Sequence, residues 1–129
     1  SEAANTPALF DRARDLGVEI VLDVDAGAPA AQSRLQRFIA ESSTVYLTFC
    51  LDVLPPAVAP GVSAPSGLGV ALHRAVALLR ETLAHCGHRT PASKLLLADV
   101  AEFNPRFDPD GRTARTAARL VYELAAFGR

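Results

Sequence analysis

The stretch Thr48–Gly69, TFCLDVLPPAVAPGVSAPSGLG, decides the fold class. It begins inside an apolar run, Thr44 to Leu51 (TVYLTFCL), with β-branched or aromatic side chains at several places. Such a run fits a strand buried on both faces, as in a parallel sheet. Asp52 stands where that strand stops. From Asp52 to Ser66 the chain carries four of its nine prolines. Each proline fixes φ and removes an N–H donor, so this segment is a loop.

Working outward, Thr6 is placed to cap a helix with Pro7 at its first position. Leu9, Phe10, Ala13 and Leu16 share its face, and Gly17 ends it. Val18–Asp23 (VEIVLD) is a short β-rich run. A second helix is expected from Pro29 to Glu41, with Leu35, Phe38 and Ile39 inward. Downstream, Leu68–His85 reads as the clearest helix, with Val70, His73, Ala77 and Leu78 near one face and Gly87 as C-cap. Lys94–Val100 (KLLLADV) reads as another buried strand. The loop Glu102–Gly111 follows, and Thr113–Phe127 is an amphipathic helix carrying Leu120, Val121, Leu124 and Phe127.

Strands alternating with helices predict one α/β domain over residues 1–129. Its parallel sheet is flanked by helices and joined by right-handed crossovers. In such sheets ligands bind beyond the carboxyl ends of the strands, here Asp23, Asp52 and Glu102. Asp52 fits a metal ligand and a turn former equally well, since hard divalent ions and loop N–H groups both want a fixed carboxylate. Cys50 lies two residues earlier, so both side chains share a strand face. A cysteine there is more often a small core residue than a ligand. Glu102 by itself reads as a solvated loop carboxylate or a partner for a cationic substrate group. Asp23-Val24-Asp25 reads as a turn, and His73 as structural. His85, Cys86 and His88 cluster at a helix end but lack the second ligand pair of a zinc knuckle.

The totals narrow the function classes. The chain has 129 residues, half of them hydrophobic, with 13 basic and 14 acidic side chains and a formal net charge of −1. That is a globular composition with no electrostatic pull toward nucleic acid or an anionic membrane. No apolar run is long enough to span a bilayer. Two cysteines make no disulfide framework, and SEAANTPALF lacks the regions of a signal peptide, so a reduced, cytoplasmic setting is expected. Methionine is absent even at position 1, and the chain is expected to be a piece of something longer. No serine sits in a nucleophile elbow, and no glycine-rich loop follows a strand as a phosphate cradle.

Thr48–Gly69 resembles the signature of the ureohydrolases, the arginases, agmatinases and formimidoylglutamases. Their pattern is Ser-x-Asp-x-Asp, three residues, Pro, three residues, Pro-Gly, seven residues, Gly. Thr48, Cys50, Asp52, Pro56, Pro60, Gly61 and Gly69 keep every spacing. Asp99-Val100-Ala101-Glu102-Phe103-Asn104-Pro105, then Asp108 and Gly111-Arg112-Thr113-Ala114, resemble the family's later segment. AANTPALFDRARDLGVEIVLD and LDVLPPAVAPGVSAP look most like the formimidoylglutamase branch.

The resemblance implies a three-layer α/β/α, arginase-like domain of which residues 1–129 are the C-terminal part. It implies a whole enzyme that hydrolyses N-formimidoyl-L-glutamate to L-glutamate and formamide in histidine breakdown. In this family two manganese ions (Mn2+) activate a bridging hydroxide that attacks the amidine or guanidine carbon. Asp52 matches a manganese ligand, and Glu102 matches the acidic residue facing the cationic end of the substrate. Cys50 occupies the place of the metal-bridging aspartate, and a thiolate is softer than manganese prefers. The family's upstream ligands, a histidine and an Asp-x-His-x-Asp motif, have no counterpart here. The partners implied are a small-molecule substrate and, for the full-length protein, further copies in a homo-oligomer. The fragment alone is expected to be inactive. Two other readings stand beside this one: a degenerate, non-catalytic domain kept for binding or assembly, and an agmatinase or other guanidine hydrolase.

Overall fold

A computed structural model describes residues 1–127. Four helices and two strands follow in the order α1 (Pro7–Asp15), α2 (Pro29–Glu41), β1 (Val45–Cys50), α3 (Leu72–His85), β2 (Leu95–Ala101) and α4 (Arg112–Ala126). β1 and β2 pair in parallel, with Tyr46 opposite Leu97, Thr48 opposite Asp99 and Cys50 opposite Ala101. A parallel pair needs a crossover, and α3 supplies it. The predicted parallel sheet with flanking helices is therefore present.

The core lies on one side of this sheet. Leu51, Leu54, Leu83 and Leu120 are completely buried, with Val62 and Leu79 nearly so. Leu47 and Phe49 of β1 and Leu95 and Val100 of β2 pack against them. Each fully buried leucine contributes about 1.5–3 kcal/mol. Between α3 and α4, the buried carboxylate of Glu123 accepts from Arg80 Nε at 2.8 Å and from Arg119 Nε at 2.7 Å.

Several sequence expectations need correction. Val18–Asp23 forms no strand. Among the described residues no other strand lies alongside it, and an extended segment without a ladder partner is not a sheet. β1 is not buried on both faces: Val45, Leu47 and Phe49 turn inward, while Tyr46 and Thr48 are exposed. α3 starts at Leu72 rather than Leu68, because Gly69 takes a left-handed φ of 72°. Its buried stripe is Ala75, Leu79 and Leu83, whereas His73 and Ala77 face out. Phe38 of α2 and Val121 of α4 are also exposed, and α1 buries no residue.

Candidate active-site rim at the carboxyl ends of the strands

β1 runs out at Cys50, and residues Leu51–Val53 make a single 3-10 turn. Leu51 on that turn and Leu54 after it are fully buried, so two apolar anchors hold Asp52 between them at the strand end. The proline-rich loop then folds back over the core. Two of the signature glycines are explained by close approaches. A Cβ on Gly61 would sit 2.6 Å from Asp108 Cβ, and one on Gly69 would sit 2.5 Å from the Pro55 nitrogen. Both gaps are far shorter than any real side chain tolerates. The Val70 N–H closes the loop on Val53 O at 2.7 Å.

The same loop ties the two strand ends together. Gly61 O accepts from the Asn104 N–H at 2.8 Å, and the Gly61 N–H donates to Thr113 Oγ1 at 2.8 Å. Asn104 Nδ2 donates to Ser63 Oγ at 3.0 Å. Asp108 accepts from the Thr113 and Ala114 N–H groups, each at 2.9 Å, and so caps α4. Burial pushes the Asp108 carboxyl up, but these two N–H groups and the Thr113 hydroxyl outweigh it and hold it below the usual range. Glu102, directly after β2, is exposed and has φ 68°, a left-handed conformation rare outside glycine. Such backbone costs of order 1–3 kcal/mol and persists where surrounding bonds over-determine it. Here the Asn104–Gly61 bond fixes the chain two residues on.

Cys50 is half-buried. Burial, and then the Asp52 carboxylate, push its thiol up, with the neighbouring Thr48 hydroxyl opposing them. Burial and Asp52 thus disfavour the thiolate, the form that reacts as a nucleophile. Beside it, Thr48 Oγ1 and Tyr46 Oη both donate to Asp99. They hold the Asp99 carboxyl below its ordinary range, and the same bond raises the Tyr46 phenol.

The structure thus brings Cys50, Asp52 and Glu102 to one rim. Asp23, expected with Asp52 and Glu102 at a strand end, does not follow a strand: it lies with Asp25 on a 3-10 turn, Asp23–Asp25, which agrees with the turn reading of that motif. Among the described residues no group of three or more His, Cys, Asp or Glu side chains is arranged to hold a metal ion. His85 Nδ1 lies 2.8 Å from Glu81 O and His88 Nε2 lies 2.9 Å from Leu124 O, so these rings are engaged with backbone carbonyls. Sequence reasoning missed the Asp99 cluster. Its signal was present in part: Tyr46, Thr48 and Asp99 occupy alternate strand positions, but only the register puts them face to face.

This chain belongs to the arginase family, whose model matches residues 3–126. Among its curated relatives are the formimidoylglutamases of Aromatoleum aromaticum and Aeromonas salmonicida. The first is 53% identical over 97% of this chain and 36% of its own length. The second is 50% identical over 96% of this chain and 38% of its own length. Among solved structures, the arginase of Bacillus caldovelox superposes with TM-score 0.74 at 26% identity, over 96% of this chain and 40% of that one. Proclavaminate amidino hydrolase from Streptomyces clavuligerus gives 0.75 at 30% identity, over 92% and 38%. The chain spans a little over a third of the curated relatives it matches. Among the described residues no helix is long and apolar enough to cross a membrane.

Proposed function

We propose that residues 1–129 are the C-terminal portion of a formimidoylglutamase. The complete enzyme adds water across N-formimidoyl-L-glutamate and releases L-glutamate and formamide, a step of histidine degradation in the cytoplasm. The observation that carries this reading is 53% identity to a formimidoylglutamase along nearly the whole chain. The intact signature spacing from Thr48 to Gly69 supports it.

In the complete enzyme Asp52 serves as a metal ligand, Cys50 stands at the second ligand position of β1, and Glu102 faces the cationic amidine nitrogen. The cofactor of that enzyme is a pair of Mn2+ ions. This chain by itself does not fit such a pair. It offers the carboxylates of Asp52 and Glu102 and the soft thiol of Cys50 at the rim, and among the described residues no group of three or more such side chains is arranged to hold a metal ion, whereas hard divalent ions take six or so oxygen ligands. The isolated chain is accordingly inactive.

The test is formamide release by the full-length protein from N-formimidoyl-L-glutamate in the presence of Mn2+. Release supports the reading, and its absence with a fully folded, manganese-supplied protein refutes it. One observation favours a second reading, a degenerate domain retained for binding or assembly: Cys50 stands where the family's pattern has a carboxylate, and a thiol is a softer ligand than manganese prefers. Cys50→Asp in the full-length protein separates the two. Activity gained from an inert parent supports degeneration, whereas an active parent with Cys50 refutes it.

A further inference from the structure

Glu102 is the rim residue that stands on strained backbone. Glycine adopts a positive φ at no steric cost, whereas a residue with a Cβ persists there only when its surroundings over-determine it. Upstream, the fixed flank is the strand ladder, in which Ala101 ends β2 opposite Cys50. Downstream, Phe103 is 41% exposed, so burial does little to hold it. The next fixed point is Asn104. Pro105 follows it and confines it to extended backbone, with φ −115° and ψ 98°. The Asn104 N–H donates to Gly61 O at 2.8 Å. Its Oδ1 accepts from the Arg106 N–H at 3.2 Å and starts the 3-10 turn Pro105–Phe107. Its Nδ2 donates to Ser63 Oγ at 3.0 Å. The bonds to Gly61 and Ser63 grip one loop at two points, one through the main chain and one through the side chain. That loop is itself anchored, because Val62 between the two points is buried and the Gly61 N–H donates to Thr113 Oγ1.

We infer that Asn104 is a positioning residue: its side chain, clasped to Ser63, keeps Glu102 left-handed and so keeps the Glu102 carboxylate on the rim, where it meets the cationic nitrogen of an amidine or guanidine. Asn104 itself touches no substrate and acts through Glu102. Ordinary backbone for a residue with a Cβ has negative φ, so release of the clasp lets Glu102 relax through more than about 100° and redirects its carboxylate. The strain is the signal. A glycine after β2 would make the same turn without cost, and the chain instead places a carboxylate there and fixes both flanks. This role rests on Glu102 as the contact for the substrate's cationic end, and it is independent of which cationic substrate is taken.

The test is a double-mutant cycle in the manganese-loaded full-length protein, read as kcat/KM on N-formimidoyl-L-glutamate, agmatine and L-arginine. Asn104→Ala should lower kcat/KM on the order of tenfold. Ser63→Ala removes only the receiving oxygen, on an exposed residue, and should lower it by roughly threefold or more. In a Glu102→Ala background each should cost less than about twofold, because the carboxylate they place is gone. A merely structural role costs the same in both backgrounds, and that result overturns the inference. So does an unchanged kcat/KM in both single variants. If Asn104→Ala does not fold, Ser63→Ala carries the cycle alone. Amide hydrogen exchange over residues 102–107, followed by mass spectrometry, gives a readout that needs no turnover. It should be faster in Ser63→Ala and Asn104→Ala than in the parent, and equal rates overturn the inference. Coupled losses on agmatine or arginine, in a protein that leaves formimidoylglutamate untouched, refute the substrate reading and leave the clasp standing. Additive losses on formimidoylglutamate do the reverse. If none of the three is hydrolysed, the functional reading falls, and the exchange rates decide the clasp.

Discussion

Thr48 Oγ1 donates to Asp99 Oδ1 at 2.7 Å across the parallel pair of β1 and β2. Tyr46 Oη donates to the other carboxylate oxygen, so one carboxylate joins two positions of the neighbouring strand. Thr48 and Asp99 both precede rim residues, Cys50 at the end of β1 with Asp52 on the turn after it, and Glu102 directly after β2. The bond therefore sets the two strand ends relative to each other.

Asp99 has a depressed carboxyl in the folded chain, with the Thr48 bond as the larger cause and the Tyr46 bond next. Its contribution to stability is present above the unfolded carboxyl value of about 3.9 and is lost as pH falls through the lower folded value. Asp99→Asn should lower the urea midpoint at pH 7 and leave the acid end of the profile nearly unchanged. In the same variant the Tyr46 phenol, raised by Asp99 in the wild type, should titrate closer to an ordinary tyrosine by ultraviolet absorbance.

The signature glycines should rank by what a methyl group meets. Gly69→Ala forces a Cβ into Pro55 nitrogen at positive φ, and is expected to cost about 2–4 kcal/mol from clash and backbone strain together. Gly17 also has positive φ, but a Cβ there meets nothing within 4 Å, so Gly17→Ala should cost only about 1–2 kcal/mol. Urea unfolding of the two variants measures the difference, and equal costs contradict the explanation.

Glu123 is 4% exposed, and the Arg80 bond, with that from Arg119, holds its carboxyl low against the opposing effect of burial. Both arginines are half-exposed and return to water when the carboxylate is removed. Glu123→Gln should therefore cost about 1–2 kcal/mol at pH 7, less than a fully buried pair. The loss should fade as pH drops through the depressed folded value, where the wild-type carboxylate is itself protonated. Arg119→Ala alone should cost less than Glu123→Gln, because Arg80 stays in place.

Cys50 should react slowly with iodoacetamide at pH 7–8, since burial and Asp52 disfavour its thiolate. Asp52→Asn removes the neighbouring negative charge and should speed alkylation at Cys50, read by mass spectrometry separately from the buried Cys86. An unchanged rate contradicts the electrostatic part of this account.

The two strands, three of the four helices to within a few residues, and the positions of Asp52 and Glu102 at the strand ends were legible in the sequence because they rest on local signals. TVYLTFCL is too apolar for a loop, prolines mark its end, and Asp52 stands at the boundary. What failed was long-range. Whether Tyr46 and Thr48 are buried depends on what lies over them, and Val18–Asp23 becomes a strand only beside a partner. Arg80 and Glu123 are 43 residues apart, so no periodicity announces their pair. The positive φ of Glu102 is held through Asn104 and Gly61, a bond no local pattern contains. The glycine spacing could be recognised in the sequence, but its cause, the contacts of Gly61 with Asp108 and of Gly69 with Pro55, is visible only in three dimensions.

The most direct measurement is a comparison of kcat/KM for the manganese-loaded full-length protein on N-formimidoyl-L-glutamate, agmatine and L-arginine, with Glu102→Gln alongside. The account predicts turnover of formimidoylglutamate with stoichiometric formamide, little turnover of the guanidines, and a loss of on the order of tenfold or more in Glu102→Gln as one charge-assisted contact to the cationic amidine disappears. Hydrolysis of agmatine or arginine in preference to formimidoylglutamate contradicts it.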